Sequence, residues 1–166
     1  MNNITKTLIL IFIFLITFII SFPKDKIYYY SLSKLKEHNI AINSLKKDIG
    51  LMNIDLQNNI IYLSNASIAR ASSIDIGLLS IDVNNVNFQG SFTSLVPKID
   101  HIKIWYSLGK FLEVKGKFGN IIAKTDIFNK KIIFTANIDQ NTYNKYRNIF
   151  KKFKKSKEGY KYELSF

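Results

Sequence analysis

The chain has 166 residues, with 24 Lys and Arg against 12 Asp and Glu, a formal net charge of +12, and no cysteine. Without sulfur there is no disulfide framework, no thiolate nucleophile and no sulfur-ligated metal. Only Arg70 and Arg147 are arginines; the guanidinium fork reads bases and clamps phosphates, so a lysine excess of this kind argues against a nucleic-acid partner.

Residues 7–22 contain no charge, and Pro23, Lys24, Asp25 and Lys26 come directly after them. As a helix this run would be about 24 Å long; starting at Ile4, with Lys6 snorkelling, adds about another turn and makes a ~30 Å hydrocarbon core crossable. The expectation is an uncleaved membrane anchor over residues 1–22, carried by Leu8, Leu10, Phe12, Phe14, Leu15, Phe18, Ile20 and Phe22. A cleavable secretory signal has the same layout, but its processing site needs small residues, and Ile19, Ile20, Ser21 and Phe22 offer one. Lys24, Lys26, Lys34 and Lys36 favour a cytoplasmic C-terminal side, whereas a very short tail ahead of the first apolar segment favours export of the rest of the chain. The expected topology is a single pass through the inner membrane with the domain in the periplasm.

Residues 23–39 read as a juxtamembrane amphipathic helix, with Ile27, Tyr28, Leu32 and Leu35 at helical spacing, Asn39 as its stop and Pro23 bending the chain ahead of it. From residue 40 the period becomes two. Leu112, Val114, Gly116 and Phe118 alternate with Glu113, Lys115 and Lys117, and Ile132, Phe134, Ala136 and Ile138 with Lys131, Ile133, Thr135 and Asn137. Met52, Ile54 and Leu56, then Ile74, Ile76 and Leu78, Val86 and Phe88, and Ile102 and Ile104 repeat the pattern, with a one-residue slip of phase between Leu78 and Leu79 that a bulge, bend or strand boundary would explain. Turn signals fall at Asn58-Asn59, Asn84-Asn85, Gly119-Asn120 and Asn129-Lys130. Residues 40–166 are therefore expected to form a mainly β domain, with a curved antiparallel meander of about eight strands over residues 40–138 followed by a C-terminal helix and a final strand.

Asp139 to Asn141 can cap a last helix over residues 139–155, in which Tyr143, Tyr146, Phe150 and Phe153 make one aromatic stripe surrounded by Lys145, Lys151, Lys152, Lys154 and Lys155. Tyr160, Tyr162, Leu164 and Phe166 then alternate as a final strand. Such a helix has two readings: the stripe covers the sheet and the lysines are solvated, or the lysines contact anionic headgroups or an acidic partner.

Catalytic chemistry is not indicated. His38 and His101 lack acidic neighbours at ligand spacing, and His101 should be a solvated strand residue facing away from Ile102 and Ile104. The carboxylates are scattered one per strand, no nucleophile elbow or Walker loop occurs, and Gly116-Lys117-Phe118-Gly119 lacks the helix that completes a phosphate loop. The expectation is no catalytic residue, no metal, no cofactor and no enzyme, with the membrane, another envelope protein and possible phospholipid as partners.

The order of parts resembles the type II secretion system protein N family. The resemblance is carried by Phe22-Pro23-Lys24-Asp25-Lys26-Ile27, Leu32 and Leu35, and Ile40-Ala41-Ile42, and more loosely by Leu63-Ser64-Asn65-Ala66, Ile74-Asp75-Ile76 and Gly116-Lys117-Phe118-Gly119-Asn120-Ile121. It implies a bitopic inner-membrane protein with a β-rich periplasmic domain, distantly similar to AsmA-type envelope proteins whose curved sheets offer apolar grooves. Two functions are in keeping with it: a structural or assembly component of an envelope complex, or a lipid-handling module holding acyl chains against the sheet.

Overall fold

The computed structural model describes residues 3–21, 23–107, 109–157 and 159–166, without the side chains of Asn3, Ile4, Leu8, Leu15, Phe18, Ile19, Ile20, Lys24 and Ile27. Helix α1 (Asn3–Ser21) is followed by α2 (Lys24–Glu37), which starts after Pro23 and ends where Asn39 turns left-handed at φ 59°. Among the described residues no helix is long and apolar enough to cross a membrane. Phe22 and the side chains of Leu8, Leu15, Phe18 and Ile20, five of the eight expected anchor residues, lie outside the described residues.

The remainder is mainly β. Strands β1 (Ile40–Ile49), β2 (Asn53–Leu63), β3 (Ala66–Gly77), β4 (Ser80–Phe88), β5 (Ile99–Trp105), β6 (Lys110–Gly116), β7 (Gly119–Asp126), β8 (Lys131–Asn137), β9 (Lys154–Ser156) and β10 (Gly159–Ser165) form one antiparallel sheet in the order 1-2-3-4-5-6-7-8-10-9. A single turn of helix, α3 (Phe92–Leu95), and Pro97 lie between β4 and β5. The eight strands expected between residues 40 and 138 are β1 to β8 and the expected final strand is β10; among the described residues the addition is the short edge strand β9.

Two of the expected turns are not turns. Asn58, at φ 53°, lies inside β2 and Asn85, at φ 52°, inside β4. Each is a left-handed kink where the strand keeps one-to-one register with its neighbours, and the apolar phase changes across it, from Leu56 to Asn59 and Ile61 in β2 and from Val83 to Val86 and Phe88 in β4. The buried Asn59 is satisfied there, accepting from Ser44 Oγ at 2.6 Å and donating to the Leu56 carbonyl at 2.9 Å. The phase slip at Leu78-Leu79 is a strand boundary, and Gly119 and Lys130 do sit in tight turns. Gly119 is required: at φ +116° an added Cβ would collide with the Asn137 carbonyl oxygen.

The expected helix over residues 139–155 is corrected. Asp139 does cap it, accepting from the Thr142 amide, but the helix divides at Tyr146 into α4 (Gln140–Lys145) and α5 (Arg147–Phe150), and Lys154 and Lys155 belong to β9.

Register sorts the side chains into two faces. One apolar ladder runs Leu56, Ile74, Val83, Ile102, Val114, Ile121, Ala136, Tyr160 across eight strands; a second runs Ile54, Ile76, Ile81, Ile104, Leu112, Ala123, Phe134, Tyr162. α2 packs Tyr28 and Leu32 on this face over the first strands, and α4 and α5 pack Tyr143, Tyr146 and Phe150 on the same face over β7, β8 and β10.

The opposite face is polar. Asp48, Asp55, Asp75 and Asp82 stand directly opposite one another on β1 to β4. Like charges facing each other across strands are destabilising. Asp55→Asn, which relieves two such contacts, should raise stability by about 0.5 kcal/mol, measured as a higher Tm that converges on the parent value in high salt; an unchanged or lower Tm contradicts the repulsion.

Candidate functional site

The amphipathic period of α2 sets Tyr28, Ser31, Leu32 and Leu35 on one stripe, the i, i+3, i+4, i+7 pattern of a helix with one committed face. That stripe stands over the two ladders, and between helix and sheet lies a groove of about 670 Å³. Ile42, Ile54, Leu56, Ile61, Ala69, Ile74, Ile76, Ile81, Val83, Val86, Phe88 and Ile102 line it, with Met52, Leu78 and Tyr106 towards one end. The volume is that of a small-molecule site, yet among the described residues the lining contains no charged side chain, and Ser31, Tyr28 and Tyr106 carry its only side-chain hydroxyls. A ligand here gains from burying apolar surface and finds almost nothing to hold a polar group. The chemistry that fits is an aliphatic chain.

A cation stands at the edge. Lys47 is the β1 partner of Leu56, and its Nζ lies 4.5 Å from the Tyr28 ring centre and 4.3 Å from that of Tyr29, donating to Tyr29 Oη at 3.0 Å. The hydrogen bond to Tyr29 raises its pKa above the ordinary lysine value, so it stays charged beside the groove.

The C-terminal residues separate into the two roles that the sequence left open. Tyr143 stacks on Tyr160 with centroids 4.3 Å apart, Phe150 meets Phe153 at 5.4 Å, and Phe153 meets Tyr162 at 5.7 Å; Tyr160 Oη donates to Gln140 Oε1 at 2.7 Å. The aromatic stripe of Tyr143, Tyr146, Phe150 and Phe153 therefore covers the sheet. Lys145, Lys151, Lys152, Lys154 and Lys155 are all exposed, with Lys145 near the Tyr146 ring and Lys152 near that of Tyr162. In register, Lys154 and Lys155 pair with Lys161 and Tyr160, close to where β10 begins. Lysine on so short an edge strand also blocks further strand pairing.

His101 is not the solvated residue expected. Its Nε2 lies 2.9 Å from Asp82 Oδ1, and Lys103 Nζ lies 3.0 Å from Oδ2 of the same carboxylate. Burial pushes the Asp82 pKa up, but hydrogen bonds from Lys103, His101 and Ser80 together outweigh it and leave it below the usual value. Glu113 is similar, with burial opposed and exceeded by Lys110 at 3.0 Å and Lys115 at 3.2 Å. Both clusters lie on the polar face, away from the groove, and both carboxylates have cationic partners. They act as cross-strand ties. Among the described residues no group of three or more acidic, histidine or cysteine side chains could hold a metal ion.

Glu163, near the chain end, accepts from Lys161 at 2.8 Å and Lys131 at 3.0 Å, and these bonds hold its carboxyl at about 2 in place of 4.5. A lowered folded pKa gives stability that is present above the unfolded value and lost as pH falls through the folded one. The parent should therefore lose Tm faster than Glu163→Gln between pH 4.5 and about 2. The difference should be small, because the group is well exposed. Parallel curves through that window contradict the assignment.

Sequence reasoning saw the parts of the groove, the α2 stripe and the alternating strands, without seeing that they enclose one volume; the Tyr28, Leu32, Leu35 triplet was the available signal. A scan against family models matches none, and comparison with curated proteins and with solved structures finds no match.

Proposed function

We propose that this chain is a membrane-anchored, non-enzymatic lipid-handling module of the bacterial envelope, whose groove takes the acyl part of a lipid. The observation that carries the reading is the lining of the 670 Å³ groove, which is apolar over α2 and five strands and, among the described residues, free of charged side chains. The anchor is supported by α1. Its residues from Ile9 to Phe14 are apolar and exposed on six consecutive positions, enough to sweep the whole helix circumference. A helix apolar all round belongs in a protein core or in lipid. The resemblance to the secretion protein N family supports an inner-membrane location with the domain facing the periplasm.

The test is solvent extraction of the full chain purified in mild detergent, with lipid analysis of the extract. Phospholipid retained in proportion to protein supports the reading. Lipid-free protein carrying a stoichiometric protein partner would instead favour a structural or assembly role. That second reading has its own observation: among the described residues, the outer edge of β10 beyond Lys161 carries no strand, leaving residues 162–165 open to pairing. Digestion of a C-terminal tag in intact spheroplasts supports the periplasmic side; protection until lysis overturns it.

A further inference from the structure

A meander places alternate connections at opposite ends of the sheet, and here the two ends differ in chemistry. The turns β1–β2, β3–β4, β5–β6 and β7–β8 share one end with the C-terminus, since Ser165 pairs with Lys131. Their tips are apolar and bare: Leu51 is 59% exposed, Leu79 78%, Tyr106 56%, Phe128 100% and Phe166 67%. The other end turns through Ser64-Asn65, Gln89-Gly90 and Lys117, with Phe118 tucked in and Leu95, at 51%, the most exposed large apolar side chain described there.

α2 fixes where the N-terminal helix meets the domain. Asn39, just past its C-terminus, accepts from the Ser64 amide at the polar end, while Tyr28 and Tyr29, near its start, meet Lys47 close to the β1–β2 turn. α2 therefore runs from the apolar end to the polar end, and α1 joins at the apolar end. Tyr29 and Tyr30, both exposed, lie beside that junction, the residue type that favours a membrane interface. Met52, Leu78 and Tyr106, which border the groove, belong to this end as well.

We propose that the turn-tip end is a bilayer-docking surface, seated at the boundary of headgroups and acyl chains beside α1, so that the groove opens directly onto lipid. Lipid is chosen over a second copy because the apolar residues sit on separate projecting turns. Eight strands at roughly 4.8 Å spacing string them over about 34 Å, a comb and not a flat patch. The apolar α1 leaves from the same end, and exposed Lys130 stands in the same turn as Phe128, where it can meet anionic headgroups. The exposed lysines 154 and 155 lie towards the other end of the sheet by register, so the surface does not depend on them.

The groove's cargo rests on the acyl-binding reading proposed above, the docking surface only on its membrane anchor, and the experiment separates them. Because the chain has no cysteine, Leu79→Cys, Phe128→Cys and Lys117→Cys each give one unambiguous attachment point for a polarity-sensitive fluorophore. The labelled full chain is reconstituted into phosphatidylethanolamine/phosphatidylglycerol vesicles with and without lipid spin-labelled near the headgroup. Expected are blue-shifted emission and spin-label quenching at 79 and 128, with neither at 117. Emission at 79 and 128 matching 117 overturns the proposal. So does a blue shift that no lipid spin label quenches and that fades as protein is diluted in lipid, which would assign this end to a second copy. Quenched tips on protein that retains no extractable lipid would sink the groove reading alone; solvated tips on lipid-loaded protein would sink the docking surface alone.

Discussion

Phe150→Ala should destabilise the domain by about 3–5 kcal/mol, the usual range for deleting a buried aromatic. Phe150 is only 1% exposed and joins Tyr143, Phe153 and the Ala136–Tyr160 pair into the cluster that seats α4 and α5 on the sheet. A loss of that size approaches the whole stability of an ordinary domain of this length. The damage should begin locally, because the cluster beneath α2 is built from different residues. Hydrogen exchange should accelerate first in β8, β9 and β10, with the amides around Leu56 exchanging only on global unfolding. An unfolding free energy within about 1 kcal/mol of the parent would show that the helices are not held by this contact.

Filling the groove should abolish its use without unfolding its walls. Val83 lies on β4 between Ile74 and Ile102, and Ile61 on β2 pairs with Ala69; all five line the groove. Val83→Trp with Ile61→Trp places two indoles where an acyl chain would lie, and retained phospholipid should fall to background. Overpacking of this kind costs roughly 1–3 kcal/mol per site, so folding is checked in parallel by near-ultraviolet circular dichroism. Asn87→Trp adds an indole on the polar face beside Arg70 and should leave lipid retention unchanged. Equal retention in the filled and control variants would mean that lipid binds elsewhere.

How much of this could be read from the sequence depends on how local each signal is. The α2 stripe of Tyr28, Leu32 and Leu35 and its stop at Asn39 are properties of a short window, and both are present in the fold. The strands announced themselves by alternation, and the slip at Leu78-Leu79 did mark a boundary. Asn58 and Asn85 were misleading because a kink inside a paired strand and a turn ask for the same left-handed backbone, and only the partner strand tells them apart. The last helix failed for a related reason. Tyr143, Tyr146, Phe150 and Phe153 keep helical spacing, yet the helix breaks after Lys145, and Phe153 reaches Tyr162 from just ahead of an edge strand. Lys151 and Lys152, between the last two aromatics, are exposed and add no buried surface to favour a longer helix.

Long-range pairing was the illegible part. His101 meets Asp82 across 19 positions of sequence, and the groove exists only because register places Leu56, Ile74, Val83 and Ile102 in one row. Each strand displayed its apolar face singly; nothing in any one of them said that α2 would stand off the sheet and leave room between.

The most direct test of an acyl-binding groove is site-specific photo-crosslinking in native membranes, with a benzophenone amino acid placed at Ile61 inside the groove or at Asn87 on the polar face. Irradiation should attach phospholipid to the chain at position 61 and not at 87. A protein adduct at 61, or no adduct at either position, would contradict the account.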